Sequence, residues 1–224
     1  MANVTDYKEE YKDLYLPKTK PMIMEIPEMN FVAVEGKGDP NDKNGEYPKA
    51  MQILYSIQFT IKMSKMGNNK LNGYFDYVVP PLEGLWWFDN KEKIPPKNKS
   101  TYNWISLIRL PEFVDKNIFK WACDEVLKKK DIQTKNAKFL KVKEGLCVQC
   151  MHIGSYDEEP KTLKLIEGFI EENNLMNDIN DKRKHHEIYL SDPRKTKVEK
   201  LKTVLRIPVK KKQNVNKGVR QTST

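Results

Sequence analysis

No stretch of this sequence approaches the ~20 consecutive apolar residues that cross a bilayer. The opening "MANVTDYKEEYKD" lacks the apolar core of a secretory leader. Cysteine is scarce: three residues, an odd number, fit a reducing cytoplasm better than a disulfide framework. Acids are missing from the last fifteen residues, which hold five Lys/Arg, so the net charge of +9 is concentrated there. The 35 basic and 31 acidic residues of positions 1–209 nearly balance, which argues against a nucleic-acid partner. The run 210–224 is polar and basic, and is expected to be a disordered tail. The glycine-bearing "GKGDPNDKNG" has no Lys-Ser/Thr ending, so it is not a phosphate loop. Only about thirty residues precede Phe31, and "YLPKTKPMIMEIPEMN" is too rich in proline for a helix-turn-helix reader. These absences leave a cytoplasmic protein with no membrane partner, expected to be a monomer.

Metal chemistry is poorly supplied. "CVQC" at Cys147–Cys150 would need two further ligands, and only Cys123 and His152 are candidates. The surrounding "LCVQCMHI" reads as a strand, which sends the two sulfurs to opposite faces. Both cysteines and His152 are therefore read as structural, and no metal or cofactor is expected.

What the chain does contain is a repeat. "EYPKAMQILY" from Glu46 and "EEPKTLKLIE" from Glu158 share E-x-P-K followed by apolar residues at helical spacing. Proline suits a first helical turn, where its missing N–H costs nothing. A strand ending in glycine precedes each helix, "FVAVEGKGDP" and "LCVQCMHIGSYD". Further strands follow, "FDYVVPP" and "LWWF" in the first half, "HHEIYLS" and "KTVLRIPV" in the second. "YNWISLIRLPEFV" continues as a strand, and "KNIFKWACDEVLKKK" is an amphipathic helix. The expected fold is α+β, with duplicated strand-helix-strand-strand halves at about 30–110 and 140–209 in one domain spanning 1–209. Helices should cover the outer faces and leave a groove along a pseudo-two-fold axis.

Alternation within the strands then sorts the side chains. In "HHEIYLS", Ile188 and Leu190 share a face and should pack beneath the helices, which turns Glu187 and Tyr189 the other way. That other side is either bulk water or the central groove. In "GLWWF", Trp86 and Trp87 point to opposite faces, so both cannot be core. In "TYNWISLIRL", Tyr102 and Trp104 oppose Ile105 and Leu107. So many rings left in water would form an exposed apolar patch. The economical arrangement has the rings and Glu187 facing one cavity, suited to planar, apolar or cationic ligands. Tyr55 is a weaker candidate, on a helix expected to cover the outside.

Taken in order, "FVAVEGKGDPN", "PPLEGLWW", "IRLPEFV", "EGLCVQCMHIG", "HHEIYLSDPRK" and "LKTVLRIPV" resemble the GyrI-like small-molecule-binding family, over roughly residues 7–209. The resemblance is to its stand-alone branch, which includes cyclopropanoid cyclopropyl hydrolases. It implies the duplicated GyrI-like (bacterial effector-binding-domain) fold around a central pocket, with Glu187 at the position of the pocket acid. It also implies an aromatic cage drawn from Trp86, Trp87, Tyr102 and Trp104. Tyr156 matches a tyrosine that recurs after the second strand, and Tyr189 stands beside the acid. Two functions fit. One is cofactor-independent hydrolysis, with Glu187 as base toward water. The other is sequestration or effector binding without turnover, and a gyrase-inhibitor-like protein contact remains by analogy alone.

Overall fold

The computed structural model describes residues 4–67, 71–88 and 98–212. Two single-turn helices, α1 (Tyr7–Glu10) and α2 (Lys12–Tyr15), precede the first long strand, β1 (Met22–Lys37). Then come α3 (Glu46–Met63), β2 (Leu82–Phe88), β3 (Tyr102–Arg109) and α4 (Lys116–Lys130). The second half runs β4 (Ala137–Ile153), α5 (Glu159–Glu172), a short β5 (Leu175–Asn177), β6 (His185–Tyr189) and β7 (Lys202–Lys211). Each half is thus strand, helix, strand, strand, and β5 is the one addition.

The sheet is antiparallel in the order β4-β1-β3-β2-β6-β7-β5, and β4 also pairs with β7. That extra pairing joins the two ends, so six strands close into a barrel-like sheet. The order repeats with the halves exchanged: β1 meets β4, and β2 meets β6, across the same pseudo-two-fold axis.

Local chemistry explains the helices. Asp115 caps α4 by accepting from the backbone N–H groups of Asn117 and Ile118, and Lys128–Lys130 sit at its negative end. Pro160 lies in the first turn of α5. The apolar stripe of α3, with Leu54, Ile57 and Ile61, is wholly buried.

Several expectations change here. "FDYVVPP" is not a regular strand: only Tyr77 forms a bridge, to Thr5, and Pro80 and Pro81 cannot donate to a ladder. The second strand of the first half is instead β3. Lys210 and Lys211, assigned to the tail, belong to β7 opposite Met176 and Leu175, while 213–224 lie outside the described residues. The helices also lie on the other side from the one expected. Ile188 is buried on the inner face of the closed sheet, whereas α3 and α5 pack on the outer face, the one that carries Glu187. Leu190 follows the end of β6 and lines the groove on that outer face.

The inner face holds an ionic network. His186 sits between Glu83 (2.9 Å) and Glu144 (3.0 Å), and Arg206 donates to Glu144 (2.7 Å) and Gln149 (3.0 Å). Two carboxylates therefore face two cations with almost no water contact. Arg206 also donates to the Leu14 carbonyl (3.1 Å), and Tyr15 donates to Glu83 (3.4 Å), so α2 is tied into the network. Farther along, the Arg109 guanidinium packs against the rings of both Tyr7 and Tyr11, 4.4 Å from each centroid.

Burial works against both charged forms, but the partners outweigh it. His186 is raised to about 9 by Glu144 and Glu83, and Glu144 is lowered to about 2 by His186 and Arg206. His186 binds its proton more tightly folded than unfolded. Its stabilisation is complete below its ordinary pKa of 6.5 and fades as pH climbs through about 9. The Glu144 contribution runs oppositely, complete above 4.5 and lost as pH falls toward about 2. Urea unfolding of Arg206→Met should show a loss of about 3–5 kcal/mol, the cost of stranding a buried charge. A loss below about 1 kcal/mol would contradict the network's role. Thermal stability of the unaltered chain should decline between pH 6.5 and 9, and His186→Asn should flatten that decline.

Candidate functional site: a carboxylate in an aromatic groove

On the outer face, β2 and β6 pair in a register that sets Gly84 opposite Glu187 and Trp86 opposite His185. Trp86 is in turn opposite Trp104 on β3, and Phe88 opposite Tyr102. Period-two alternation therefore gathers Trp86, Trp104, Tyr102, His185, Glu187 and Tyr189 on one side of the sheet. Helices α3 and α5 flank this patch and make it the floor of a groove.

Glu187 is tethered at both oxygens. Tyr189 donates its hydroxyl to Oε2 at 2.7 Å, and His185 Nε2 lies 3.1 Å from Oε1. The Tyr189 oxygen accepts the Trp86 indole N–H at 2.8 Å, which completes a chain from indole to phenol to carboxylate. Such a chain polarises each donor toward the anion. Burial, then the Glu187 charge, push the Tyr189 hydroxyl well above its ordinary range, so it stays a donor. The Glu187 side chain keeps 15% exposure, enough to meet a ligand or a water.

Rings surround this carboxylate. Tyr47, from the first turn of α3, stacks on Trp86 with centroids 6.0 Å apart, and meets Trp104 edge-on at 5.1 Å. Tyr102 packs edge-on against Trp86 at 6.1 Å, and Tyr156 against Tyr189 at 6.0 Å. Two glycines make this packing possible. A Cβ on Gly36 would fall 2.3 Å from the Trp104 ring, and one on Gly84 would fall 2.5 Å from Trp86 Nε1.

The groove extends about 2400 Å³, well beyond the ~300–1,000 Å³ of an ordinary small-molecule pocket. One arm runs between α3 and the segment after β6, past Tyr55, Phe59 and Arg194. The other follows α5 toward β5, past Leu163, Glu167 and Met176.

The expected residues are placed unequally. Glu187, Trp86, Tyr102, Tyr156 and Tyr189 come together at the centre. Trp87 points away from Trp86 and reaches only the rim, half-buried with the Lys184 ammonium 4.8 Å from a ring centroid. Trp104 is 1% exposed, beneath the edge-on ring of Tyr47, and does not line the groove. Tyr55 lines an arm of the groove, because α3 borders the site instead of covering the far side.

Two residues were not foreseen: Tyr47 and Glu159. Both are the variable x of E-x-P-K, so the repeat itself held the signal. The first turn of each helix opens onto the groove, and its second motif position points inward. Glu159 is only 9% exposed. Burial, then the charges of Glu187 and Asp157, push it up to about 10, with Lys99 acting in the opposite direction. Burial and the neighbouring acids therefore favour the protonated form of Glu159, whereas Glu187 accepts hydrogen bonds. His152 is structural: its ring nitrogens meet the Thr162 hydroxyl and the Ser155 carbonyl, both at 2.9 Å.

Among the described residues, no group of three or more His, Cys, Asp or Glu could hold a metal ion, and no helix is long and apolar enough to cross a membrane. Comparison with solved structures finds strong similarity to an uncharacterised conserved protein from Listeria innocua, 49% identical with a TM-score of 0.87. Two structures of hydrolases from Listeria innocua are each 47% identical, with TM-scores of 0.84 and 0.85. In all three, 93% of this chain aligns with the whole of the other. No curated protein matches. The profile of the GyrI-like small molecule binding domain matches residues 19–210, nine-tenths of the described chain. The chain belongs to the GyrI-like small-molecule-binding family.

Proposed function

We propose that this protein binds planar, apolar or cationic foreign compounds and hydrolyses those carrying a strained, electrophilic cyclopropane. The observation that carries this reading is the Glu187 carboxylate, held by Tyr189 and His185 on a floor ringed by Tyr47, Trp86, Tyr102 and Tyr156. The hydrolases from Listeria innocua, at 47% identity over nearly the full chain, support the catalytic half of the reading.

In this mechanism the rings hold a flat substrate by stacking and exclude water from all but one side. Glu187 orients a water toward the cyclopropane carbon and takes its proton as the C–O bond forms. The cyclopropane C–C bond breaks, and its electrons pass into the conjugated ring system, ending on a carbonyl oxygen. Tyr156 is the candidate donor to that oxygen. Burial, then Glu159 and Glu187, push its hydroxyl up to about 12, so it keeps its proton. No cofactor takes part, and the protein acts as a cytoplasmic monomer.

Incubating the protein with a cyclopropane-bearing DNA-alkylating compound should yield a product heavier by one water. Tight binding without a mass change would leave sequestration as the function. Glu187→Gln should abolish turnover yet retain neutral planar ligands, and unchanged turnover in that variant would refute the assigned base. Trp86→Ala should weaken a cationic aromatic dye by about 1–3 kcal/mol in calorimetric titration. Trp87→Ala should matter less, and equal losses from both would count against a cage centred on Trp86.

A further inference from the structure

We propose that Glu159 is a second catalytic residue, the acid partner of Glu187, and that the groove also hydrolyses aryl-substituted epoxides and aziridines. This deepens the hydrolase reading above and rests on it. The starting observation is an atom without a partner. Glu159 is nine-tenths buried, yet its Oε1 has no hydrogen-bond partner. A buried polar atom left unpaired costs about 1–3 kcal/mol, so such an atom in a cleft calls for an explanation. Glu159 is the first residue of α5, and no side chain caps that helix. Among the described residues it forms no ion pair, and it lines the same groove as Glu187. That oxygen is open to a partner from the groove.

The charged and titratable groups around it come from three directions. Glu187 approaches from β6, Asp157 from the turn before α5, and Lys99 from the segment before β3. The hydroxyls of Tyr102, Tyr156 and Tyr189 complete the surroundings. Two nearby carboxyl groups in a partly desolvated cleft do not both ionise readily, and the more deeply buried one keeps the proton. In this assignment Glu159 gives a proton and Glu187 takes one.

An acid at this place suits a particular kind of leaving atom. In an aryl epoxide, the water oxygen bonds to the benzylic carbon while the C–O bond of the ring breaks. The electron pair of that bond goes to the ring oxygen, which takes the proton of Glu159. Glu187 takes the proton lost by the attacking water. One water is added overall, and exchange with solvent returns the proton from Glu187 to Glu159. An aziridine follows the same course with nitrogen in place of oxygen. The conjugated cyclopropane needs no proton at the broken bond, because its electrons leave toward a remote carbonyl.

That difference gives the test. The purified full chain is incubated with trans-stilbene oxide in ¹⁸O-labelled water, with 2-phenylaziridine in parallel, and products are followed by mass spectrometry. The wild type should form the diol with one labelled oxygen, holding its rate to about pH 9 and losing it above the Glu159 range. Glu159→Gln should slow epoxide opening by about 10²–10⁴-fold, the usual contribution of a general acid. It should slow the cyclopropane reaction at least tenfold less. Circular dichroism and melting of the variant establish that it is folded. Equal epoxide rates in the variant and wild type would overturn the proposal. So would a wild type inert toward both heterocycles but active on the cyclopropane. A wild type inert toward all three compounds would overturn the hydrolase reading as well.

Discussion

The pairing of β2 with β6 across the pseudo-two-fold axis is the constraint on which the rest depends. It sets Gly84 opposite Glu187 and Leu85 opposite His186, so consecutive residues of β6 look in opposite directions. A slip of one residue would exchange them, placing an unneutralised carboxylate inside the barrel and an imidazole in the groove. The inner ionic network opposes that slip, because His186 fits between Glu83 and Glu144 in one register only. The stability of the interior and the orientation of the site are thus a single property of one strand pair.

The two sides of this pair treat acids differently. Inside, Glu83 and Glu144 are matched by His186 and Arg206, and the carboxyl of Glu144 is held strongly ionised. Outside, Glu187 and Glu159 face mostly rings and hydroxyls, with Lys99 the nearby cation that acts on Glu159. The inner acids are matched by close cations, whereas the outer pair lies among rings and hydroxyls. The sheet, one residue thick, keeps the two regimes apart.

Much of this was legible in the residues, and what was not has physical reasons. The repeat announced the two halves, since E-x-P-K fixes a helix start and the flanking glycines end a strand. Alternation placed Glu187 and Tyr189 together, because period two is obligatory in a strand. It could not say which face the helices cover, since both faces of β6 and β3 carry large residues. Closure by β4 with β7 was invisible, because non-local pairing leaves no local pattern. Trp104 looked like a ligand contact by type and parity, yet Tyr47 lies over it, a contact set by a helix 57 positions earlier. Glu159 was hidden for a similar reason. An acid at a helix start reads as a dipole partner, and its burial in the groove has no local signal.

Tyr47 and Glu159 occupy corresponding positions of the duplicated unit, and their divergence has an evolutionary consequence. The first copy contributes Tyr47, Trp86 and Tyr102 to the groove, whereas the second contributes Tyr156, Glu159, Glu187 and Tyr189. A homodimer of first copies would have offered a pocket of rings without an acid. A homodimer of second copies would have set four carboxyl groups about one axis, at a heavy electrostatic cost. Covalent fusion released the halves from identity, so that one could supply mainly rings to the groove and the other its carboxyl groups.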